Sequence, residues 1–343
     1  MHGMDEACRY LRASHALREA LDIPRGASLA AIPLGNGEHN ANFAFDHPVT
    51  GARYVLRMNY ASQLGLREQA SYEHGALRAL AVSGRTPSAV YVDETRSVVD
   101  RGVQVIGFCA GRLLDLERDD DLSKAAKSLA DVHSVSVPDE CTLIRPRNPL
   151  AEIRDESLRM YRVYAGSRFV DAHVAREIED LLATCDRVVE AHEGDPMRSH
   201  IVNTECIAAH FLIPEAGDFA YVVDWEKPIV GDAAQDVAFF VAPTTTFWDS
   251  DIVFDDARRD LFVRAYIDSV DGRFPTEGFV ERFFAYLTLT CLRGVTWCAM
   301  AQVEYHDPNR PLKNDKTFRK IQAYLSDDFF AQLKCQAFLK RSA

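Results

Sequence analysis

At 343 residues, 47% apolar and 26% charged, the chain has the composition of a folded globular protein and the length for two lobes. A formal net charge of −12, with no Lys/Arg-rich block, argues against a nucleic-acid or anionic-membrane binder, whose affinity needs clustered positive charge, while tolerating a cationic substrate. Eight cysteines without a CxxC pair read as reduced thiols of a cytoplasmic protein; the first ten residues are too polar for a signal sequence, and no window approaches the roughly 18 apolar residues of a membrane span.

In chain order, apolar spacing predicts an amphipathic helix over residues 6–21, ended by Pro24 and Gly26. Three strands follow, over 29–34, 41–45 and 53–58, separated by segments of strong turn composition, which gives an antiparallel meander. In the first turn, residues 35–40, Gly35, Asn36 and Gly37 either gather backbone N–H groups into an anion-binding concavity or close an ordinary hairpin. A helix is predicted over 63–82, burying Tyr72, Ala76, Leu77 and Leu80, and strands over 90–92, 97–99 and 103–108. Residues 108–112 form a hinge. Beyond it the pattern is helical over 122–133, 151–164, 172–193, 232–240, 255–270, 276–302 and 317–333.

One polar hairpin interrupts these helices. The apolar runs 211–213 and 219–223 flank Glu215-Ala216-Gly217-Asp218, and antiparallel pairing through that turn sets Phe211 opposite Val222. His210 then falls beside Val223 and Asp224, with Glu205 on the loop leading in. Such a convergence suits metal and proton chemistry; the plainer alternative is that Asp224 begins a turn and His210 ends a strand. Serine-nucleophile, HExxH and P-loop motifs do not occur.

The stretch Val222-Val223-Asp224-Trp225-Glu226, followed by Gly231-Asp232-Ala233-Ala234-Gln235-Asp236-Val237-Ala238, resembles the I-D-W-E…G-D-P-x-x-D-L-A signature of the aminoglycoside phosphotransferase and choline kinase-like family of small-molecule kinases. The resemblance implies an α+β, protein-kinase-like bilobal fold. Residues 1–107 would be the N-lobe, an antiparallel sheet with a helix, and 108–343 a larger helical C-lobe carrying the catalytic hairpin. It implies ATP with Mg²⁺, or Mn²⁺, and transfer to a hydroxyl of an aminoglycoside-, amino-alcohol- or sugar-like molecule. The Gly35–Asn40 turn would cover the phosphates, Ile106 and Phe108 would meet the adenine, and Arg57 would stand for the phosphate-contacting lysine with Glu73, or else Glu68, as its partner. Asp224 would hold the metal and Asp236 would brace the catalytic loop.

The family's catalytic loop reads H-G-D-x-x-x-x-N, and here the same spacing reads Asn203-Thr204-Glu205-x-x-x-x-His210. Glu205 stands for the catalytic aspartate, with Asn203 beside it, and His210 takes the place of a metal-ligating asparagine. Imidazole suits transition metals better than Mg²⁺. Three consequences stay open: Asp224 holds the metal with water, the ion is Mn²⁺, or the chemistry is lost. The last would make the chain a pseudokinase-like protein that binds nucleotide or a small ligand. Asp249, Asp251, Asp255 and Asp256 either hold a cationic acceptor or start a helix. Oligomeric state is not legible.

Overall fold

The computed structural model describes residues 3–37, 39–307 and 314–338. Two short helices, α1 (Met4–Ala13) and α2 (His15–Ala20), replace the single helix expected at the start. Ser14 causes the break: its backbone is extended and its hydroxyl accepts the Leu17 N–H, capping the second helix.

A five-stranded antiparallel sheet follows, in the order β1-β2-β3-β5-β4: β1 (Ile32–Asn36), β2 (Asn40–Asp46), β3 (Arg53–Asn59), β4 (Ala89–Asp93) and β5 (Val103–Gly107). Residues 97–99 are bends rather than the expected strand, and the first turn narrows to residues 37–39, of which Glu38 lies outside the described residues. Side chains alternate across a strand. One face (Phe43, Phe45, Leu56, Met58, Val103 and Val105) packs on α1 and α2. The opposite face carries Asn42, Val55, Arg57, Gln104 and Ile106. Helix α3 (Gln69–Leu80) lies there, starting six residues later than expected, and its Tyr72, Ala76, Leu77 and Leu80 join the core of the larger lobe.

Past β6 (Arg112–Leu113) come α4 (Asp119–His133), α5 (Pro149–Ala165) and α6 (Ala172–Ala191). Then β7 (His200–Val202), β8 (Phe211–Ile213), β9 (Tyr221–Val222) and β10 (Ile229–Gly231) precede α7 (Ala233–Val241), α8 (Pro243–Ser250), α9 (Asp256–Val270), α10 (Phe279–Tyr305), α11 (Asp315–Tyr324) and α12 (Asp327–Leu333). The hairpin has the anticipated register, Phe211 opposite Val222, and the Val223 N–H donates to the His210 carbonyl (2.9 Å). Helix α8 and the β7–β10 pair were not anticipated, and the last predicted helix divides at Ser326, which caps α12. By length and composition α10 alone among the described residues is apolar enough to cross a membrane, but 72% of that window is buried, and it forms the axis of the helical lobe.

Candidate active site

The sheet's inner face and the hairpin mouth meet at Arg57. Its Nε donates to Glu73 (2.9 Å), Nη1 to Asn42 (3.3 Å), and Nη2 to both Asp224 (2.6 Å) and Glu226 (2.9 Å). Glu73, not Glu68, is therefore the helix partner. Gln69 and Gln104 amides also donate to its carboxylate (3.0 and 2.6 Å). Burial pushes the Glu73 carboxyl up to about 7, against the opposing charge of Arg57. Burial acts to lower the Arg57 value, yet the three carboxylates, Glu73 foremost, raise it, so the guanidinium is a fixed cation.

Asp224 sits with φ 60°, a left-handed backbone uncommon for a non-glycine residue. Burial would raise its carboxyl, but Arg57 and then His210 hold it below the ordinary range. His210 Nε2 lies 3.4 Å from Asp224 Oδ2, while its Nδ1 is 2.9 Å from the Glu205 carbonyl. A carbonyl only accepts, so Nδ1 carries the proton and, in the neutral ring, Nε2 faces Asp224 with a free lone pair. Among the described residues no group of three or more His, Cys, Asp or Glu is placed to hold a metal. Asp224 offers the single hard carboxylate with which Mg²⁺ is commonly held alongside substrate phosphates and water, whereas His210 Nε2 is a nitrogen donor better suited to a transition metal.

The loop that carries Glu205 is braced from beneath. Buried Asp236 accepts the backbone N–H groups of Asn203 and Thr204 (2.7 Å each), and His133 Nε2 stands 3.2 Å from it, its Nδ1 on Tyr266. Asn203 is itself buried, donating to the Asp224 carbonyl (2.8 Å) and accepting from the Glu205 N–H (3.0 Å). It ties the two loops together rather than facing the cleft. Cys206 is buried; burial, then Asp236, pushes its thiol well up.

Glu205 pairs with Lys227 (2.5 Å). The β7–β10 register, Val202 opposite Ile229, sets these neighbours side by side. Burial, and next Arg293, push the Lys227 ammonium down, with Glu205 opposing. Arg293 is bound by Glu156 (2.8 and 3.2 Å). Sequence reasoning passed over Lys227, Glu226, Asn42 and Gln104. Strand parity with Arg57 was the available signal for Asn42 and Gln104.

On the sheet side, a cleft of about 390 Å³ is lined by Leu34, Val55, Ile106, Phe108, His210 and Asp224, among others. The backbones of Gly35 and Asn36 belong to β1, opposite Asn42 and Ala41, and Gly37 donates to the Asn40 carbonyl (2.9 Å) at the rim. Of the acidic run, Asp251 pairs with Lys320, Asp255 caps α9 and Asp256 pairs with Arg259, while the Asp249 side chain lies outside the described part of the structure.

The APH model, which describes a phosphotransferase enzyme family, matches residues 30–279. The chain belongs to this family. As a phosphotransferase it is a small-molecule kinase, and its bilobal architecture is the protein-kinase-like one. Solved structures similar to it include an ethanolamine kinase from Plasmodium vivax (TM-score 0.64, 13% identity, 95% of this chain and 89% of that one). A choline kinase from Cryptosporidium parvum (0.62, 11%, 96% and 94%) and a spectinomycin phosphotransferase bound to ADP and spectinomycin (0.61, 13%, 93% and 96%) are similar too. At such identities the likeness is one of fold. No curated protein matches the chain.

Proposed function

We propose that the phosphotransferase moves the γ-phosphoryl group of ATP to a hydroxyl of a small molecule, with residues 1–107 covering the nucleotide and 108–343 supplying catalysis and the acceptor pocket. The observation that carries this is that Arg57, bonded to Glu73, meets Asp224 and, from the end of the Asp236-braced loop, His210 on one cleft, from separate segments of the chain. The Gly35–Gly37 backbone, Ile106 and Phe108 would hold the nucleotide. Arg57, in the lysine's place, would neutralise its phosphates.

Asp224 with His210 would hold Mg²⁺ or Mn²⁺, which when bound supplies charge neutralisation at the phosphates. Glu205 accepts the acceptor hydroxyl proton as the new O–P bond forms and the bond to the leaving ADP oxygen breaks. Asn203 acts by position, since it is buried and bonded to both loops. All eight cysteines are free, which supports the cytoplasm as its location.

Acceptor-dependent ADP release tests the proposal. It predicts turnover with ATP and a divalent cation, lowered at least about 100-fold by Glu205→Gln with nucleotide affinity kept. Nucleotide binding without transfer to any hydroxyl would instead establish a binding protein.

A further inference from the structure

The β7–β10 pair has two ends. Val202 and Ile229 meet at one, beside Glu205 and Lys227, and His200 and Gly231 meet at the other. At that far end Gly231 borders a small cavity of about 90 Å³, in which phosphotransfer has no part. Three arginines from separate segments line it: Arg147 just before α5, Arg198 just before β7, and Arg282 in the first turn of α10.

Arg147, at the rim, and Arg198, half-buried, make no hydrogen bond or ion pair among the described residues, and the Arg198 Nε is buried without a partner. Arg282 donates through Nε to Asp232 (2.6 Å) and through Nη1 to the Glu277 carbonyl (2.9 Å), which leaves Nη2 uncommitted among the described residues. Tyr286, one turn further along α10, lines the same cavity; it is 4% exposed, and its hydroxyl too has no partner among the described residues. Burial, and next Asp232, push that phenol well above its ordinary range, so it stays protonated and can donate. The positive end of α5, 17 residues long, completes the wall.

Guanidinium groups only donate, so this lining asks for an acceptor. Its two carboxylates are already engaged, Asp232 by Arg282 and Asp195 by His192 Nδ1 (2.8 Å), and they are outnumbered by the three arginines. Water would meet the donors but not the surplus positive charge. Pockets for drug-sized ligands run to roughly 300–1,000 Å³, so this one admits an ion or the end group of a larger molecule. Donors arriving from three segments suit an ion with acceptors on several sides, as a tetrahedral oxyanion has and a planar carboxylate has not.

We propose that this cavity binds a phosphate-class oxyanion, either inorganic phosphate or the phosphate end of a monoester, with Arg198 and Tyr286 on its inner side and Arg147 at the rim. The assignment is independent of the phosphotransfer reading, because none of these residues lines the cleft at Asp224. A bound oxyanion would join the start of α5, the strand that enters the catalytic loop, and α10.

Calorimetric titration of inorganic phosphate into the full chain, with magnesium and excess ADP present, tests this. The expected result is one site with Kd of about 1 mM or tighter, no equivalent heat from sodium chloride at matched ionic strength, and acetate about tenfold weaker or more. Arg198→Met should weaken phosphate about tenfold or more, Tyr286→Phe should weaken it less, and Arg198→Lys should recover part, all with ADP affinity unchanged. Glycerol 3-phosphate separates the two sources: tighter binding than phosphate assigns a monoester, weaker binding assigns the free ion, and either upholds the site. Should Arg198→Met fail to fold, crystals of the wild-type chain soaked in low-millimolar selenate give the location directly, with anomalous density expected between Arg198 and Tyr286. No phosphate binding up to about 20 mM, binding unchanged by Arg198→Met, acetate as tight as phosphate, or selenate confined to the cleft at Arg57 would overturn the inference.

Discussion

Arg57→Met tests the electrostatic construction most directly. The guanidinium is 7% exposed and bonds Glu73, Asp224 and Glu226, so the substitution removes one cation and strands three carboxylates around an apolar chain. Breaking a buried ion pair from one side costs about 3–5 kcal/mol. For 343 residues the unfolding entropy is roughly 0.7 kcal/mol/K, so the cost lowers Tm by roughly 4–7 °C. Arg57→Lys should recover part, because an ammonium keeps the charge but not the fork that reaches both lobes.

The sign of the pH dependence follows from Glu73, pushed from its ordinary 4.5 up to about 7. Between those values the folded protein holds the proton more tightly than the unfolded chain, so this group's contribution to stability falls as pH rises. Removing Arg57 strengthens that effect. The Tm deficit of the variant should be smallest near about pH 5 and larger near about pH 8, by scanning calorimetry. A variant with wild-type Tm, or a deficit that grows on acidification, would refute the reasoning.

Other expectations come from other parts of the molecule. Asp236→Asn keeps an acceptor for one loop N–H and turns an NH₂ toward the other, costing about 1–3 kcal/mol; kcat should fall while nucleotide affinity by calorimetry stays within about twofold. Burial would raise the Asp121 carboxyl, but Arg112, through Nη1 and through Nη2 at 2.7 Å, holds it below 3.8. Its contribution is thus present above 3.8 and lost as pH falls through the lower folded value, so Asp121→Ala should be less stable at neutral pH, and the gap should close in acid-unfolding curves below about pH 4. Iodoacetamide at pH 8 should label exposed Cys335 before buried Cys206, as peptide mass spectrometry would show.

What was legible in the sequence is what local pattern encodes. Strand alternation, helix spacing and the turn at Gly217 placed most elements and the hairpin register, and the Asp224 and Asp236 signature named the family. What escaped was tertiary. Nothing local to residues 200–202 or 229–231 announces that they pair, yet that pairing is what sets Lys227 on Glu205. Ser14 and Ser326 were capping signals hidden inside continuous apolar periodicity. For the acidic run near Asp251 a ligand surface and a helix start both stayed open until the fold made Asp255 the cap of α9 and brought Lys320 to Asp251 and Arg259 to Asp256.

The altered loop keeps its geometry because that geometry is held through the main chain. Asp236 binds two backbone N–H groups, an interaction indifferent to the side chains at 203 and 204. The exception is Thr204, with φ 70°, at the position of the family motif's glycine. A left-handed β-branched residue is strained by roughly 1–2 kcal/mol, and here its hydroxyl donates to the Lys227 carbonyl (3.0 Å), worth about 1 kcal/mol in return. Thr204→Gly relieves the strain, forfeits the hydrogen bond and gains unfolded-state freedom of about 1 kcal/mol, so the terms nearly cancel and Tm should stay within about 2 °C of wild type. Thr204→Val keeps the branch and the strain but loses the hydroxyl, so it should be the least stable of the three, by about 1 kcal/mol. If Val is tolerated as well as Thr, or Gly is much worse than both, the hydroxyl tie to Lys227 is not what lets a threonine occupy this backbone.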